Sequence, residues 1–348
     1  QEEALRVCQF LQSQYTKLLN SSKKTKVRIF LSLLIFLSSA VVAQESMLQS
    51  LLFGTDSTYA VRHPFRFTIR PNVGTTFGQY TSQWTAEDTP HSYSLMSSPI
   101  FKAGCSVSYL GITVGVHRDV KRLFGETEET EYSFSGYTPI VGGELSYSSS
   151  YTHTMSSNGD GETLWKLPLS GCHTRRLLAN GYVVLNPRRF SLPAALTQRY
   201  KQIRSAGSGI LGASLTGFRM DVDVSQLPPQ LTDENTPYDY ARHIIYTAAS
   251  LGAGYAYNWV LPDNWMLHAS YLHTLSLYHY GEIAFTDGTI PFGHKLNQGG
   301  IVRLGSVWDV EHYFGGFVGT MQMQWMSYTP IHTFDFYVNT RLFFGFRF

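Results

Sequence analysis

The last fifteen residues, 334–348, read FDFYVNTRLFFGFRF and decide the fold. Side chains of a β-strand point alternately to its two faces, so residues two apart share a face. One face here carries Phe, Phe, Val, Thr, Leu, Phe, Phe and Phe, whereas the other carries Asp, Tyr, Asn, Arg, Phe, Gly and Arg. This pattern predicts one long strand with an oily face and a polar face. A strand of a soluble sandwich seldom runs so far.

The same alternation recurs in separate upstream stretches, and several of these carry charged residues on the polar face. Charges repeated on several strands would be costly in a dry core, whereas a hydrated or ion-paired lumen accommodates them. The sequence therefore predicts an all-β fold, a transmembrane antiparallel up-and-down β-barrel. The charged side chains predicted to line its lumen are Arg66, Arg70, Arg219, Asp221, Asp223, Arg303, Asp309, Asp335 and Arg341.

The aromatic end of the chain predicts a compartment as well as a fold. Phe344, Phe346 and Phe348 occupy alternate positions and end the chain, a pattern similar to the recognition signal of outer-membrane barrels. We therefore expect the outer membrane of a Gram-negative bacterium. The expected partners are outer-membrane lipid and the barrel-assembly machinery, which would engage the C-terminal strand.

Composition agrees with a barrel and argues against other classes. Only 15% of residues are charged, and the chain has 22 Tyr, 22 Phe and 30 Gly, residue types that favour closely packed strands or turns. A net charge of +2 gives no basic face for nucleic acid. The mean hydropathy of −0.12 excludes a polytopic helical membrane protein but not a barrel, whose inward residues are polar.

One long apolar run, residues 29–43, lies behind a basic segment and predicts a signal peptide over residues 23–43. It ends Val41-Val42-Ala43, which suits cleavage after Ala43, and it is shorter than the roughly 20 residues that span a bilayer. We interpret residues 1–22 as an upstream extension that is not native. Residues 44–60 are predicted to be a short periplasmic segment, and residues 61–348 the barrel.

Strand parity constrains the number of strands. If Phe348 ends at the periplasm, the turns at 186–189 and 261–264 fall on the periplasmic side and the stretch 225–242 becomes an outer loop. We interpret residues 190–203 as a kinked base segment, because Pro193 interrupts a ladder, feeding a strand over about 205–224. This count gives 12 strands, with 10 or 14 as alternatives. Further candidate outer loops are 74–95, 119–128, 153–171 and 280–295.

Two stretches resemble a known family. They are NPRRFSLPAA at 186–195, followed by QIRSAGS at 202–208 with Leu211-Gly212, and GAGYAYNW at 252–259, followed by Asn264-Trp265. Over roughly residues 61–348 the chain resembles the outer-membrane barrels of Bacteroidetes grouped as domain of unknown function 4421. The resemblance implies a fold and a compartment, and it brings no catalytic residues.

Candidate chemistry is sparse. The segment around His153 and Ser157 faintly resembles the His-x-Ser-Asn-Gly motif of outer-membrane phospholipase, but four residues of strand separate the two by roughly 13 Å, beyond hydrogen-bond reach. No pair of His or Cys has ligand spacing, so neither a metal nor a cofactor is predicted. The sequence leaves open whether Cys105 and Cys172 form a disulfide or remain free thiols.

The sequence thus favours a non-enzymatic barrel without naming its role. In one reading the lumen charges form an ion-paired plug, and the barrel is structural or binds a partner through its outer loops. In the alternative they line a channel for small polar solutes. A membrane-embedded lipid hydrolase using His153 and Ser157 is the second alternative. The transported solute or loop partner is not predicted.

Overall fold

A computed structural model describes residues 54–86, 89–120, 130–151, 153–159, 162–169, 171–223, 242–284, 288–293, 296–328 and 331–348. The predicted extension and signal peptide, and nearly all of the predicted loop 225–242, lie outside these residues. Elements are numbered in chain order.

Twelve antiparallel strands form one closed barrel, as the alternation and strand count predicted. The last strand pairs with the first barrel strand, for example Val338 with Phe77, and this pairing closes the ring. The barrel strands are β2 (Phe67–Ala86), β4 (Ile100–Tyr109), β5 (Ile112–Asp119), β6 (Thr130–Tyr137), β7 (Val141–Ser150), β10 (Cys172–Val184), β12 (Ala206–Val222), β13 (His243–Val260), β14 (Trp265–Ala284), β16 (Asn297–Val310), β17 (Tyr313–Tyr328) and β18 (Ile331–Arg347).

Four further strands extend the sheet beyond the ring. β3 (Thr89–Ser97) pairs with the outer half of β2, and β8 (His153–Gly159) and β9 (Glu162–Leu169) continue from it. β15 (Thr289–Gly293) pairs with the outer end of β14. Much of what the sequence suggested as outer loops at 74–95, 153–171 and 280–295 is therefore strand. Polar residues occur both in loops and at alternate positions of an edge strand that faces water. Composition therefore did not distinguish a loop from a strand in these three stretches.

The outer wall of the barrel is apolar and the inner wall is polar. On β18, Leu342 and Phe344 are exposed whereas Asp335 and Arg347 are buried, which is the alternation expected from the sequence. Large apolar side chains are exposed on other strands too, including Phe101 and Leu251. A soluble monomer rarely exposes so extended an apolar surface, whereas lipid accepts it.

Aromatic residues mark the two edges of this apolar wall. Trp259 and Trp265 are exposed near the base, and Trp325 is exposed near the outer end of β17. From Tyr313 at the base of β17 to Trp325 the chain advances twelve residues, or roughly 40 Å along the strand at about 3.3 Å per residue. A strand tilt of about 40° reduces this to roughly 30 Å along the barrel axis, close to the thickness of a hydrocarbon core.

The base of the barrel has short turns, and two of them use left-handed backbone. Leu110 and Gly111 join β4 to β5 with φ of 50° and 97°, and Asp263 and Asn264 precede β14 with φ of 58° and 66°. Positive φ at consecutive turn residues matches the twist of a tight hairpin, and Asp, Asn and Gly tolerate it best. Apart from the segment that follows β10, the base of the barrel therefore contains few residues outside its strands.

That segment, residues 185–205, folds across the base of the barrel and contains α1 (Leu192–Leu196). Ser191 caps the helix by accepting a hydrogen bond from the Ala194 amide, 3.3 Å away, and a proline lies in its first turn. β11 (Tyr200–Gln202) follows and pairs with β1 (Ala60–Arg62). We call residues 185–205 together with β1 the base plug. The prediction of a kinked segment at 190–203 feeding a strand is confirmed, although its one-turn helix was not foreseen.

The base plug packs against the inner wall through two apolar clusters. Phe190 and Leu192 lie among Tyr182, Ile210 and Leu272, and Ala194, Ala195 and Tyr200 lie among Met266, Val307, Phe314 and Phe343. Phe190 and Ala195 are at most 1% exposed. Among the residues that the structure describes, a helix with the length and hydrophobicity needed to cross a bilayer is absent.

Candidate functional site: the charged lumen

An ion pair crosses the outer half of the lumen. The Arg176 guanidinium on β10 donates from Nη2 to Asp335 Oδ1 on β18 over 2.8 Å, and its Nη1 donates to Oδ2 of the same carboxylate. Tyr246 also donates its hydroxyl to Asp335. β10 and β18 stand six strands apart in either direction around the ring, so this pair spans the barrel between opposite walls.

Aromatic rings enclose this pair. The Arg176 guanidinium carbon lies 4.8 Å from the centre of the Phe218 ring and 4.9 Å from that of Tyr337. Phe218 also stacks on Tyr80 and on Tyr246. Stacked rings and a shared carboxylate fill the middle of the lumen and shield the charges from water.

A second ion pair crosses the lumen from β16 to β7, which are five strands apart. Arg303 donates to the Glu144 carboxylate and to the Tyr182 hydroxyl, and its guanidinium carbon lies 4.6 Å from the Tyr182 ring centre. Glu144 also accepts from the Tyr137 hydroxyl over 2.9 Å and from the Asn180 amide over 3.0 Å. Each charge therefore has several partners, as a buried pair requires.

Glu131 on β6 collects the third group of lumen charges. It accepts hydrogen bonds from Arg341 on β18, from the Asn339 amide at 2.9 Å and from the Lys102 ammonium at 3.4 Å. Glu131 is 1% exposed and Lys102 is 4% exposed. One carboxylate here serves two cations.

The fourth group attaches the base plug to the wall. Asp309 on β16 accepts from Arg347 over 2.7 and 3.0 Å and from the His63 ring over 3.0 Å. Arg347 also donates to the Gln198 carbonyl at 2.8 Å, and Arg70 donates to the Leu196 carbonyl at 3.1 Å. These arginines therefore bind the backbone of the plug as well as a carboxylate.

Gln202 adds a neutral connection inside the plug. Its Oε1 accepts from the Ser191 amide at 2.9 Å and from the Asn258 side chain at 3.1 Å. Its Nε2 lies within hydrogen-bond distance of the carbonyls of Tyr59, Arg189 and Arg204. One side chain thus links both halves of the plug to the barrel wall. Burial raises the pKa of the neighbouring Tyr200 hydroxyl, which therefore remains a neutral group.

Five of the nine residues predicted to line the lumen belong to these groups: Arg70, Arg303, Asp309, Asp335 and Arg341. Arg66 instead lies exposed just before β2, where its carbonyl accepts from the Leu110 amide. Arg219 and Asp221 point away from the lumen, and Asp223 follows the end of β12. The inward and outward faces predicted for that strand are therefore reversed.

The reversal on β12 has a physical cause. Phe218 and Met220 are buried because the outer lumen is filled by aromatic rings, so these apolar side chains point inward. Arg219 and Asp221 then face outward, where Arg219 Nε donates to Asp221 over 2.7 Å and His243 Nδ1 lies 2.8 Å from the same carboxylate. They lie at the outer end of the strand, beyond the apolar wall.

The family model for "Domain of unknown function (DUF4421)" matches residues 54–348. The chain belongs to the DUF4421 family. The match covers every barrel strand and the base plug, and it agrees with the resemblance noted in the sequence. No curated protein sequence matches the chain.

Solved outer-membrane barrels align with this DUF4421 chain at low sequence identity. The outer membrane protease OmpT from Escherichia coli aligns with a TM-score of 0.40 and 9% identity, covering 83% of this chain and 98% of that one. The translocator domain of the autotransporter NalP from Neisseria meningitidis aligns at 0.30 and 10%, covering 81% and 88%. The Pseudomonas putida toluene transporter TodX aligns at 0.29 and 10%, covering 82% and 90%. No functional assignment follows from these alignments.

Several lumen residues of the DUF4421 barrel were missed in the sequence: Lys102, Glu131, Glu144, Arg176 and Arg347. Arg347 lies on the polar face of the C-terminal stretch, so the alternation of that stretch already indicated that it points inward. Glu131 and Glu144 lie on short strands rich in Ser, Tyr and Gly, where neither face is distinctly apolar. Such strands give no reliable sign of which face is inward.

Both suspected hydrolase residues, His153 and Ser157, lie on β8, outside the ring. His153 is buried, with Nδ1 3.1 Å from the Cys172 carbonyl and Nε2 3.0 Å from the Thr174 hydroxyl. Ser157 lies four residues further along the same strand. Cys105 and Cys172 are both free, the former exposed and the latter buried. Over the described ranges, no three His, Cys, Asp or Glu side chains form a group that would hold a metal ion.

A small cavity of about 40 Å³ lies in the outer half of the DUF4421 barrel. Lys102, Arg176 and Tyr337 contribute to its wall from the barrel, and His153 and Leu95 contribute from the added strands. The cavity therefore borders the Arg176–Asp335 pair and the aromatic rings around it.

Proposed function

We propose that the protein is an outer-membrane barrel with an occluded lumen, and that it acts as a structural or binding barrel through its outer end. The proposal rests chiefly on the Arg176–Asp335 pair, which joins strands on opposite sides of the ring. An open channel would leave this space to water and solute. Occlusion at a second level, by the base plug, supports the same conclusion.

The location is inferred from the surface of the barrel. Its wall is apolar, aromatic residues lie near both edges, and the ring has no free edge because β18 pairs with β2. These are the properties that let a sheet lie in lipid, where every backbone polar group needs an internal partner. The aromatic C-terminal strand supports assembly in the outer membrane.

The outer end is the natural place for a partner. β3, β8 and β9 extend the sheet above the ring, and β9 has a single neighbour among the strands that the structure describes. An edge strand presents unpaired backbone groups that another chain can pair with.

Conductance tests the occluded lumen. The full chain, purified from membranes in detergent, is reconstituted into planar lipid bilayers, and insertion is checked by its heat-modifiable migration on gels. We expect folded protein that inserts without discrete current steps. Steps whose size changes when Asp335 or Arg303 is neutralised would overturn the proposal and establish the channel for small polar solutes.

The remaining alternative is a lipid hydrolase. Both ring nitrogens of His153 already have partners, and four residues of extended strand place Ser157 roughly 13 Å along the chain, whereas a nucleophile and its base must be within hydrogen-bond reach. We therefore favour a non-enzymatic barrel. Phospholipid turnover by the wild type that disappears in His153→Ala and Ser157→Ala would contradict this view.

A further inference from the structure

His117 on β5 is a buried side chain without a hydrogen-bond partner. It is 2% exposed, and neither ring nitrogen has a partner among the described residues. A buried polar group is normally satisfied by protein or by something bound, so each exception requires an explanation. The lumen around His117 is therefore a candidate location for a bound species.

His117 lies in a row of the wall that continues with a glycine and an asparagine. Its cross-strand neighbour on β4 is Gly104, and the next residue in that row, on β2, is Asn72. A Cβ on Gly104 would lie 2.4 Å from His117 Cδ2, so the imidazole packs directly against the glycine. Asn72 Oδ1 is also buried and unpartnered. Three unpartnered polar atoms thus flank one glycine.

Positive charge exceeds negative charge at this level. Glu131 is the cross-strand neighbour of His117 on β6, and Arg70 lies two residues from Asn72 on the same face of β2. Gly74, two residues from Asn72 in the other direction, has Arg341 and Lys102 as its cross-strand neighbours. Glu131 is shared by Arg341 and Lys102, and Asp119 is the cross-strand neighbour of Lys102 at the outer end of β5. With both carboxylates counted, three cations face two anions.

Arg70 is the cation without a carboxylate. Its Nη1 donates to the Leu196 carbonyl and to Gln198 Oε1, and among the described residues its Nε and Nη2 make no hydrogen bond. The other buried arginines are matched differently: Arg176 has Asp335, Arg303 has Glu144 and Arg347 has Asp309. An unmatched guanidinium in a largely buried place favours a bound anion.

The outer cavity ends near the site. Its wall includes Lys102, which lies two residues outward of Gly104 on the same face of β4. Two residues of strand span roughly 7 Å, so the row that contains His117 and Gly104 lies about that far beyond the cavity wall.

We propose that Arg70, Arg341 and His117 form a binding site for a small protonated oxyanion, with inorganic hydrogen phosphate as its simplest member. The arginines supply the positive charge and fork-shaped donors that oxyanions prefer. Asn72 Oδ1 supplies an acceptor, so the ligand needs a hydroxyl donor as well as charge. Hydrogen phosphate has that donor at neutral pH, whereas sulfate has none. The site does not depend on the proposed function, since an occluded and a conducting lumen can both hold an anion.

Equilibrium dialysis with labelled inorganic phosphate tests the site on the full chain purified in detergent. We expect saturable binding to one site per chain. Arg70→Gln and Arg341→Gln should each weaken it by at least about tenfold, because each removes charge-assisted hydrogen bonds. Arg219→Gln is the matched control, since Arg219 lies on the outer wall, and it should bind as the wild type does.

Folding is checked separately by heat-modifiable migration, so that a loss of binding is read only from folded variants. His117→Gln provides a second test through a neutral side chain and should also weaken binding. Absence of saturable phosphate binding by the folded wild type would overturn the site, as would unchanged affinity in both arginine variants. Competition by sulfate as strong as by unlabelled phosphate would overturn the assignment of a protonated ligand.

Discussion

Asp335 on β18 and Arg176 on β10 join opposite walls of a twelve-stranded ring through two hydrogen bonds between one guanidinium and one carboxylate. The pair lies between aromatic rings, and Tyr246 donates a third hydrogen bond to the carboxylate. It therefore both fills the lumen and ties together strands that have no backbone contact.

Removing one partner of this pair should be strongly destabilising. Asp335→Ala leaves Arg176 charged and buried, and breaking a buried pair in this way costs about 3–5 kcal/mol. Denaturant unfolding of the detergent-solubilised protein measures the change in unfolding free energy. Asp221→Ala is the control: it removes an aspartate from the partly exposed Arg219 pair on the outer wall, for which we expect no more than about 1 kcal/mol. Equal losses in the two variants would contradict the importance of the crossing pair.

Gln202→Leu should loosen the base plug. The change removes acceptors and donors for groups that include the Ser191 amide and the Arg189 carbonyl, and each buried group left unpaired costs about 1–3 kcal/mol. We expect faster proteolysis within residues 185–205 while the heat-modifiable barrel persists. Arg188→Gln changes an exposed side chain of the same segment and should leave the cleavage rate close to that of the wild type. Equal cleavage of Gln202→Leu and wild type would show that this side chain does not hold the plug.

Gly104→Ala should destabilise the wall next to His117. The added Cβ would lie 2.3 Å from the Val116 carbonyl oxygen and 2.4 Å from His117 Cδ2, so backbone or ring must move. Overpacking of this kind costs about 1–3 kcal/mol. Gly136→Ala is the matched control on a nearby strand, because nothing lies within 4 Å of its added Cβ. Thermal unfolding of both variants compares the two sites, and an equal effect would refute the steric argument.

Deletion of Phe348 should reduce assembly of the barrel. The Phe348 amide donates to the Phe67 carbonyl over 3.0 Å, the Phe67 amide donates back over 2.9 Å, and the two rings stack at 5.7 Å. Their loss weakens the closing seam at the base and removes the terminal aromatic residue. We expect a smaller heat-modifiable fraction in isolated membranes. Tyr255→Ala removes an exposed wall aromatic on β13, four strands from β18, and should assemble at the wild-type level. An undiminished fraction after the deletion would contradict the prediction.

Parts of the lumen could be predicted because strand periodicity reports which residues share a face. On β18 one face is clearly oily, so Asp335 and Arg341 were correctly expected to point inward. On β12 the same reasoning reversed the faces, since Phe218 and Met220 fill an aromatic interior rather than contact lipid. Periodicity says that two sets of residues face opposite ways, but it does not say which set faces in.

The sequence by itself determined the all-β class and the kinked segment before β12, favoured 12 strands over 10 or 14, and carried the resemblance to the family, because each depends on local alternation, proline and turn chemistry or on a recognisable stretch. Only the tertiary structure decided which charges meet. Arg176 and Asp335 are separated by 159 residues, and their contact exists because ring closure places β10 opposite β18. Likewise, the surplus of positive charge near His117 arises from Arg70, Lys102 and Arg341 on three different strands. Distances across a closed ring depend on strand number, tilt and register together, and no local pattern in the chain carries that information.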